Sequence, residues 1–283
     1  MNSILRASRV AEAAQRDIPC SMSEPRPAST VMLLRQPRDA VEVLLVQRSS
    51  SSVFMPSVHV FPGGRVDPED DVLPLVGGEG DRARIAHERA AAYQAAALRE
   101  TFEESGVFLG EGEVDPQDRA AVQAGTLGFA ALVARSGLRP DAERLRYWAW
   151  WITPEPEPRR FDTRFFVAAV DGGDEASHDQ RETVASRWWS VREALLAFER
   201  GELVLAPPTW CVLMELAGYG SVDEVMEAAL HRRPPPLQPR GFLDDEGGIV
   251  VVLPGDPEHP SSWTPPGPTR LRLHEGRWQV LRR

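Results

Sequence analysis

The sequence is poor in cysteine, in long apolar stretches and in net positive charge. Its 283 residues contain two cysteines, Cys20 and Cys211, far apart in the chain, so we expect neither a disulfide framework nor a cysteine metal cluster. No apolar run approaches the roughly 20 residues that a membrane-spanning helix needs. The net charge of −10 argues against general nucleic-acid binding, which needs a basic surface. It does not exclude a phosphorylated small molecule, because a bound metal and nearby arginines can reverse the field locally.

The order of apolar and breaker-rich segments predicts one domain with two flanking parts. Residues 1–29, rich in arginine, alanine and serine, are predicted to be a flexible N-terminal segment, and residues 30–220 a single domain. Residues 221–283 are predicted to form an extension with a helix, a proline-rich linker and a β-hairpin turning at Glu275-Gly276, packed on the domain. Strands and helices alternate without βαβ regularity, which predicts an α/β/α sandwich with a mixed sheet.

An acidic helix is the most informative part of the chain. A helix is predicted over residues 81–105, with its first residue as N-cap and Gly106 closing its end. At about 100° per residue, Glu100, Glu103 and Glu104 fall within roughly a third of a turn of one another. These carboxylates repel one another, and carboxylate oxygens so close suit a hard cation such as Mg²⁺ or Mn²⁺. A solvated acidic helix face is the alternative interpretation.

A glycine turn upstream favours the metal interpretation. The apolar run Val58–Phe61 ends in Pro62-Gly63-Gly64, which is typical of a strand that breaks into a loop whose backbone can approach a ligand closely. The bare carbonyl of Gly64 can then act as a further metal ligand.

Together the two segments resemble the signature of the Nudix hydrolases, G-x5-E-x7-R-E-U-x-E-E-x-G-U, where U is apolar. The matching residues are Gly64, Arg99, Glu100, Glu103, Glu104, Gly106 and Val107. Thr101 stands where the family prefers an aliphatic residue. The chain also has 34 residues (99 − 64 − 1) between Gly64 and Arg99 instead of 13, so 21 are extra. The middle glutamate therefore cannot be placed by spacing: Asp70 or Glu69 occupies its position, or no residue does.

A second resemblance concerns the substrate. The run Leu44–Ser49, followed by Phe61–Gly64 and Asp67, resembles the extra motif of coenzyme A diphosphatases, although Val53 and Ser57 replace its second arginine and its glycine. The chain is more similar to the peroxisomal coenzyme A diphosphatases of animals and their bacterial relatives. That similarity is carried by the long insertion and by Trp151-x-Thr153-Pro154, Arg159-Arg160-Phe161-Asp162-Thr163, Leu205-Ala206-Pro207-Pro208 and Leu253-Pro254-Gly255-Asp256.

The resemblance implies roles for individual residues. Mg²⁺ or Mn²⁺ would be bound by Glu100, Glu103, Glu104 and the Gly64 carbonyl. Glu100 would bind metal or act as general base, and Arg99 would orient the glutamates. Glu182 is a candidate base outside the helix, with a surface carboxylate as the alternative.

Positive side chains would meet the substrate phosphates. Arg48 and Arg160, together with Gly63, are predicted to bind substrate, and Arg159 and Arg164 are further candidates. For these arginines other than Arg48, a fold-stabilising ion pair is an equal alternative. Trp148, Trp150 and Trp151 are expected in the core rather than against an adenine.

The implied activity is hydrolysis of coenzyme A or acyl-coenzyme A to 3′,5′-ADP and a phosphopantetheine. The alternatives are a Nudix diphosphatase acting on another nucleoside diphosphate derivative, such as ADP-ribose, a nucleotide sugar or NADH, and a non-catalytic ligand-sensing Nudix module. The expected partner is a small-molecule nucleoside diphosphate derivative, with neither nucleic acid nor membrane, and the expected location is cytoplasmic. The sequence leaves the oligomeric state open, with a homodimer as one candidate.

Overall fold

The computed structural model describes residues 23–49, 57–155, 157–171, 183–261 and 267–281. The chain forms two compact units. Of the described residues, those within 26–151 and 162–236 form the larger unit, and those within 23–25, 152–161 and 237–281 form the smaller unit. Among the described residues, every helix is too short or too polar to cross a membrane.

The described residues form short and medium-length strands and helices. In chain order the strands are β1 (Arg26–Arg35), β2 (Glu42–Arg48), β3 (His59–Val60), β4 (Gly63–Arg65), β5 (Gly110–Glu111), β6 (Arg139–Pro140), β7 (Arg146–Ile152), β8 (Phe161–Ala169), β9 (Thr183–Ser190), β10 (Pro236–Leu237), β11 (Arg240–Leu243), β12 (Ile249–Val252), β13 (Arg270–His274) and β14 (Arg277–Val280). The α-helices are Glu79–Arg82, Ala90–Ser105, Pro116–Gln123, Phe129–Ser136, Val191–Glu199, Pro207–Leu216 and Val222–His231, and Pro68–Asp71 and Ala142–Arg144 are 3₁₀ turns.

A mixed sheet lies at the centre of the larger unit. Its strands follow the spatial order β7-β8-β1-β2-β3, with β4 paired to β1 and β9 paired to β2. On β1, Val31 and Leu33 are buried in the core beneath the helix Ala90–Ser105. Met32 and Leu34 point to the opposite face and are also fully buried. A strand buried on both faces is covered on both sides, so the predicted α/β/α sandwich is confirmed.

The sheet begins earlier than predicted. β1 starts at Arg26, so residues 26–29 belong to the folded domain and not to a flexible segment; residues 1–22 lie outside the described part. The reason is that Ala28 and Ser29 pair with Arg65 and Gly64 of β4, a contact between segments too distant in the chain for local sequence patterns to predict.

The predicted helix over residues 81–105 is interrupted. Glu79–Arg82 is a separate short helix, and the second helix begins at Ala90. Asp81 does not cap that helix: its buried carboxylate accepts a hydrogen bond from the backbone N of Tyr147 at 2.6 Å and pairs with Arg84. Asp81 therefore anchors the insertion to β7.

The smaller unit contains a four-stranded antiparallel sheet in the order β11-β12-β13-β14. The predicted hairpin turning at Glu275-Gly276 is confirmed, since β13 and β14 pair on either side of it. The extension itself has a different boundary from the predicted one. The helix Val222–His231 belongs to the larger unit, and the smaller unit takes up the chain at Leu237.

Candidate active site

The helix Ala90–Ser105, called the glutamate helix below, presents the predicted acidic residues. It ends at Gly106, whose φ of 72° is the left-handed conformation that glycine adopts without strain. Its first part is rich in alanine, and Ala92, Ala95, Ala96 and Ala97 are buried. Small side chains let the helix axis approach the sheet closely. This close packing lets the carboxylates at the end of the helix contact the glycine turn.

The glycine turn meets the glutamate helix. Gly63 and Gly64 form the start of β4, and the backbone N of Gly63 donates a hydrogen bond to Oε2 of Glu104 at 2.9 Å. A Cβ atom on Gly64 would lie 2.4 Å from Oε1 of Glu100, so the Glu100 carboxylate occupies the space where a larger residue would place its side chain. Two segments 36 residues apart in the sequence (100 − 64) therefore form one site.

The Arg99 side chain is the centre of a charge network. Its Nε and Nη2 donate to the two carboxylate oxygens of Asp70 at 2.9 and 3.0 Å. Its Nη1 donates to Glu100 at 2.9 Å and to Glu103 at 3.0 Å, and its Nη2 also reaches the carbonyl of Arg65 at 2.9 Å. Only 9% of this side chain is exposed, so these bonds form in a medium that screens charge weakly. Arg99 thus fixes both glutamates relative to the glycine turn.

Asp70 takes the position that sequence spacing left open. It is almost fully buried and is the sixth residue after Gly64 (70 − 64 = 6), the spacing of the middle glutamate of the Nudix pattern when the whole insertion comes later. The 3₁₀ turn Pro68–Asp71 brings it to Arg99, and its Oδ2 accepts a hydrogen bond from the backbone N of Asp67 at 2.8 Å. All 21 extra residues therefore lie between Asp70 and Arg99, and none lies between Gly64 and Asp70.

The protonation equilibria of the site reflect burial and this network. Burial raises the pKa of Glu103 above its usual 4.5, and the Asp70 and Asp67 charges raise it further, while Arg99 opposes the shift. Burial alone would lower the pKa of Arg99, but the hydrogen bonds to Asp70 and the surrounding carboxylate charges outweigh burial and raise it. Arg99 is therefore a permanent cation, and Glu103 binds a proton more readily than an exposed glutamate does.

The chemical type of the candidate ligand atoms suits a divalent cation. Glu100, Glu103, Glu104 and the Gly64 carbonyl are oxygen donors, which Mg²⁺ and Mn²⁺ prefer. However, these side chains do not surround a common point. Among the described residues, no three Asp, Glu, His or Cys side chains are grouped closely enough to ligate one metal ion. Each hydrogen bond given above engages one oxygen of a glutamate, and a carboxylate has about four lone-pair sites. The same groups can therefore bind a cation while they keep their bonds to Arg99 and Gly63.

The predicted substrate-binding arginines, Arg48 and Arg160, lie outside both the glutamate helix and the glycine turn. Arg48 ends β2, and its backbone N donates to the carbonyl of Val58 at 3.0 Å. The pairing of β2 with β9 shifts register between Gln47 and Arg48, so alternation along β2 does not fix the face of the sheet on which the Arg48 side chain lies. Arg160 lies in the smaller unit and donates to the carbonyls of Thr153 and Ser23, both at 3.1 Å. Glu182 and Val53 lie outside the described residues.

The aromatic residues around position 150 are mainly structural. Trp148 and Trp151 are buried. The partly buried Trp150 stacks on the guanidinium of Arg164, whose Cζ lies 3.8 Å from the ring centroid. Arg164 is fully buried and pairs with Asp162, so it is a fold-stabilising ion pair rather than a surface contact for phosphate. The ion pair is one of the two roles that the sequence predicts for Arg164.

The comparisons with known proteins agree with this geometry. The model of the NUDT19 Nudix domain matches residues 80–216. The chain is 30% identical to the acyl-coenzyme A diphosphatase NUDT19 of Gallus gallus, over 77% of this chain and 73% of that protein. It is 28% identical to the protein of the same name from Homo sapiens, over 78% and 72%. Among solved structures, a Nudix hydrolase from Alicyclobacillus acidocaldarius matches 73% of this chain and 97% of its own at a TM-score of 0.61 and 28% identity.

A glycine turn joined to a buried arginine and three glutamates on one helix, in an α/β/α sandwich, defines a class of enzyme. The chain belongs to the Nudix hydrolase family. Within that family it falls in the branch represented by NUDT19, whose vertebrate members are named acyl-coenzyme A diphosphatases. Nudix hydrolases generally use divalent metal ions.

Proposed function

We propose that the protein is a Mg²⁺- or Mn²⁺-dependent diphosphatase of coenzyme A and acyl-coenzyme A. The observation that carries the proposal is the contact of Glu100 and Glu104 with the Gly63-Gly64 turn, in a chain whose relatives bear that activity in their names. Water would add across the diphosphate, breaking one P–O bond of the anhydride bridge. The products would be 3′,5′-ADP and a phosphopantetheine, acylated when the substrate is.

The residues of the site support this chemistry. Glu103, Glu104 and the Gly64 carbonyl would hold the metal, whose charge would offset that of the diphosphate. Glu100 would either complete the metal site or accept the proton of the attacking water, since it lies against Gly64. Arg99 holds Glu100 and Glu103 in fixed positions, and orientation of this kind supplies a large part of the rate in such reactions.

Substrate phosphates would meet arginine side chains. Arg48 is the proposed contact, because it ends β2 beside Val58, in the segment that leads into the glycine turn. Arg160 is retained only as a secondary candidate, because its guanidinium bonds to two backbone carbonyls. Glu182 stays a candidate base on its sequence position alone.

The proposal is tested with purified protein, acetyl-coenzyme A and Mg²⁺ or Mn²⁺, with products separated by chromatography. Release of 3′,5′-ADP is expected, together with its loss on chelation by EDTA and in Glu103→Gln. Glu79→Gln is the control, because Glu79 is a glutamate with 75% of its side chain exposed. Brisk turnover of ADP-ribose, NADH or a nucleotide sugar without release of 3′,5′-ADP would replace the substrate assignment. Metal-dependent turnover that is unchanged in Glu103→Gln would move catalysis away from this site.

A further inference from the structure

Ser29 connects the two halves of the site although it belongs to neither. It is a fully buried residue of β1, and its backbone lies opposite Gly64 in the β1–β4 ladder. Its hydroxyl donates a hydrogen bond to the main-chain carbonyl of Tyr93, on the glutamate helix, at 2.6 Å. A single side chain therefore joins β1, the strand paired with the glycine turn of β4, to the helix that carries the glutamates.

The main chain of Ser29 is as closely packed as its side chain. A Cβ atom on Gly63 would lie 2.3 Å from the carbonyl oxygen of Ser29, so the glycine turn rests directly on this residue. Gly63 in turn donates to Glu104, and Gly64 lies against Glu100. A displacement of Ser29 relative to the helix would thus change the distance between the Gly64 carbonyl and the glutamate oxygens.

The hydrogen bond to Tyr93 does not serve the helix itself. A carbonyl in the middle of a helix already accepts from the residue four positions later, and its oxygen can accept a second bond. The Ser29 hydroxyl uses this second position. Its bond therefore fixes where the helix lies along β1, at a point two turns before Glu100.

We infer that Ser29 is a positioning residue that sets the spacing between the glycine turn and the glutamates, and hence the affinity of the site for its divalent ion. This inference rests on the proposed function and assigns a role to a residue outside the Nudix signature. Ligand distances in metal sites lie within about 0.2 Å of their usual values, so a small shift of the helix on the sheet is expected to weaken binding.

The test compares Ser29→Ala with Val225→Ala, which removes fully buried bulk from the helix Val222–His231, an element that contains no residue of the site. Mn²⁺ binding without substrate is measured by electron paramagnetic resonance, and kcat and KM are measured with acetyl-coenzyme A at saturating metal. In Ser29→Ala we expect at least a fivefold loss of Mn²⁺ affinity and a fall in kcat with little change in KM. Val225→Ala should lose thermal stability without either effect.

Two further substitutions of Ser29 distinguish loss of the hydrogen bond from misfolding. Ser29→Thr keeps the hydroxyl and should keep Mn²⁺ affinity within about twofold of wild type, whereas Ser29→Cys, a weaker donor of similar size, should not. Equal Mn²⁺ affinity in Ser29→Ala and Val225→Ala, or a greater loss in Ser29→Thr than in Ser29→Cys, would overturn the inference. A wild-type protein that neither binds Mn²⁺ nor releases 3′,5′-ADP would instead overturn the proposed function, so the two failures are distinguishable.

Discussion

Asp70 is one methylene shorter than the glutamate of the Nudix pattern, yet it makes the two-point contact with Arg99 that holds the site together. The 3₁₀ turn Pro68–Asp71 holds Asp70 where both of its carboxylate oxygens lie within hydrogen-bonding distance of Arg99. Breaking a buried pair costs about 3–5 kcal/mol, and the low end of this range applies because Arg99 keeps Glu100 and Glu103 as partners. Asp70→Asn should therefore lower the free energy of unfolding by about 3 kcal/mol, measured by urea denaturation, and reduce kcat.

Glu111→Gln provides the comparison for Asp70→Asn. It breaks the pair between Glu111 and Arg139, in which 56% and 61% of the side chains are exposed, and such pairs contribute about 0–1 kcal/mol. An equal loss of stability in the two variants would show that the Asp70–Arg99 contact is not the buried pair described here.

Thr101, which departs from the Nudix pattern, is expected to lower the stability of the fold. It occupies a position where the family prefers an aliphatic residue, it is fully buried, and its hydroxyl has no hydrogen-bond partner among the described residues. An unsatisfied buried hydroxyl costs about 1–3 kcal/mol. Thr101→Val, which keeps the shape, should raise the free energy of unfolding by about 1 kcal/mol. Ser105→Ala should have the opposite sign, because the Ser105 hydroxyl donates to the Thr101 carbonyl at 2.5 Å; destabilisation by Thr101→Val would refute this account.

At the scale of elements, local patterns predicted most of the architecture. The helix Val222–His231 and the hairpin at Glu275-Gly276 follow from periodicity and turn chemistry. The break in the predicted helix could not be predicted, since residues 81–105 contain neither proline nor glycine and the first strong breaker, Gly106, follows them. Contacts distant in sequence decide that break: Asp81 binds the backbone of Tyr147, and Arg84 binds the last carbonyls of the helix Val222–His231.

The candidate site was predictable to the same extent. The three glutamates, Arg99 and Gly64 are identified by local spacing and by the resemblance, and the structure brings them together. The roles of Asp70 and Ser29 depend on tertiary contacts. Asp70 was one of three alternatives, with Glu69 or no residue as the others. Ser29 fell in a segment predicted to be flexible, because a serine at a strand start gives no signal of its own.

Residues 72–89, which lie between the 3₁₀ turn and the glutamate helix and form most of the insertion, are expected to depend on Asp81 for their position. Both side chains of the Asp81–Arg84 pair are about 93% buried (7% and 6% exposed), and the carboxylate also caps the backbone N of Tyr147. Asp81→Ala should lower the free energy of unfolding by about 3 kcal/mol and expose the insertion to limited proteolysis. Glu79→Ala, two residues away and exposed, should change neither; equal cleavage of the two variants would mean that the insertion is held by other contacts.

At the scale of the whole molecule, a divalent ion should stabilise the folded chain. A ligand that binds only the folded state contributes about 2.7 kcal/mol at a concentration one hundred times its dissociation constant. Mn²⁺ should therefore raise the unfolding temperature of the wild type measured by calorimetry. The rise should disappear in Glu103→Gln and persist in Glu79→Gln.

The same stabilisation should depend on pH in a direction set by Glu103. A protonated carboxyl does not bind the ion, and burial raises the pKa of Glu103 above 4.5, so protons compete with the metal at a higher pH than they would at an exposed glutamate. Without metal, the raised pKa has the opposite effect, because the folded state then binds the proton more tightly than the unfolded chain, and this contribution grows as the pH falls. The difference in unfolding temperature with and without Mn²⁺ should consequently shrink as the pH is lowered from neutrality toward the pKa of Glu103. A difference that stays constant over this range would show that Glu103 is not a ligand of the ion.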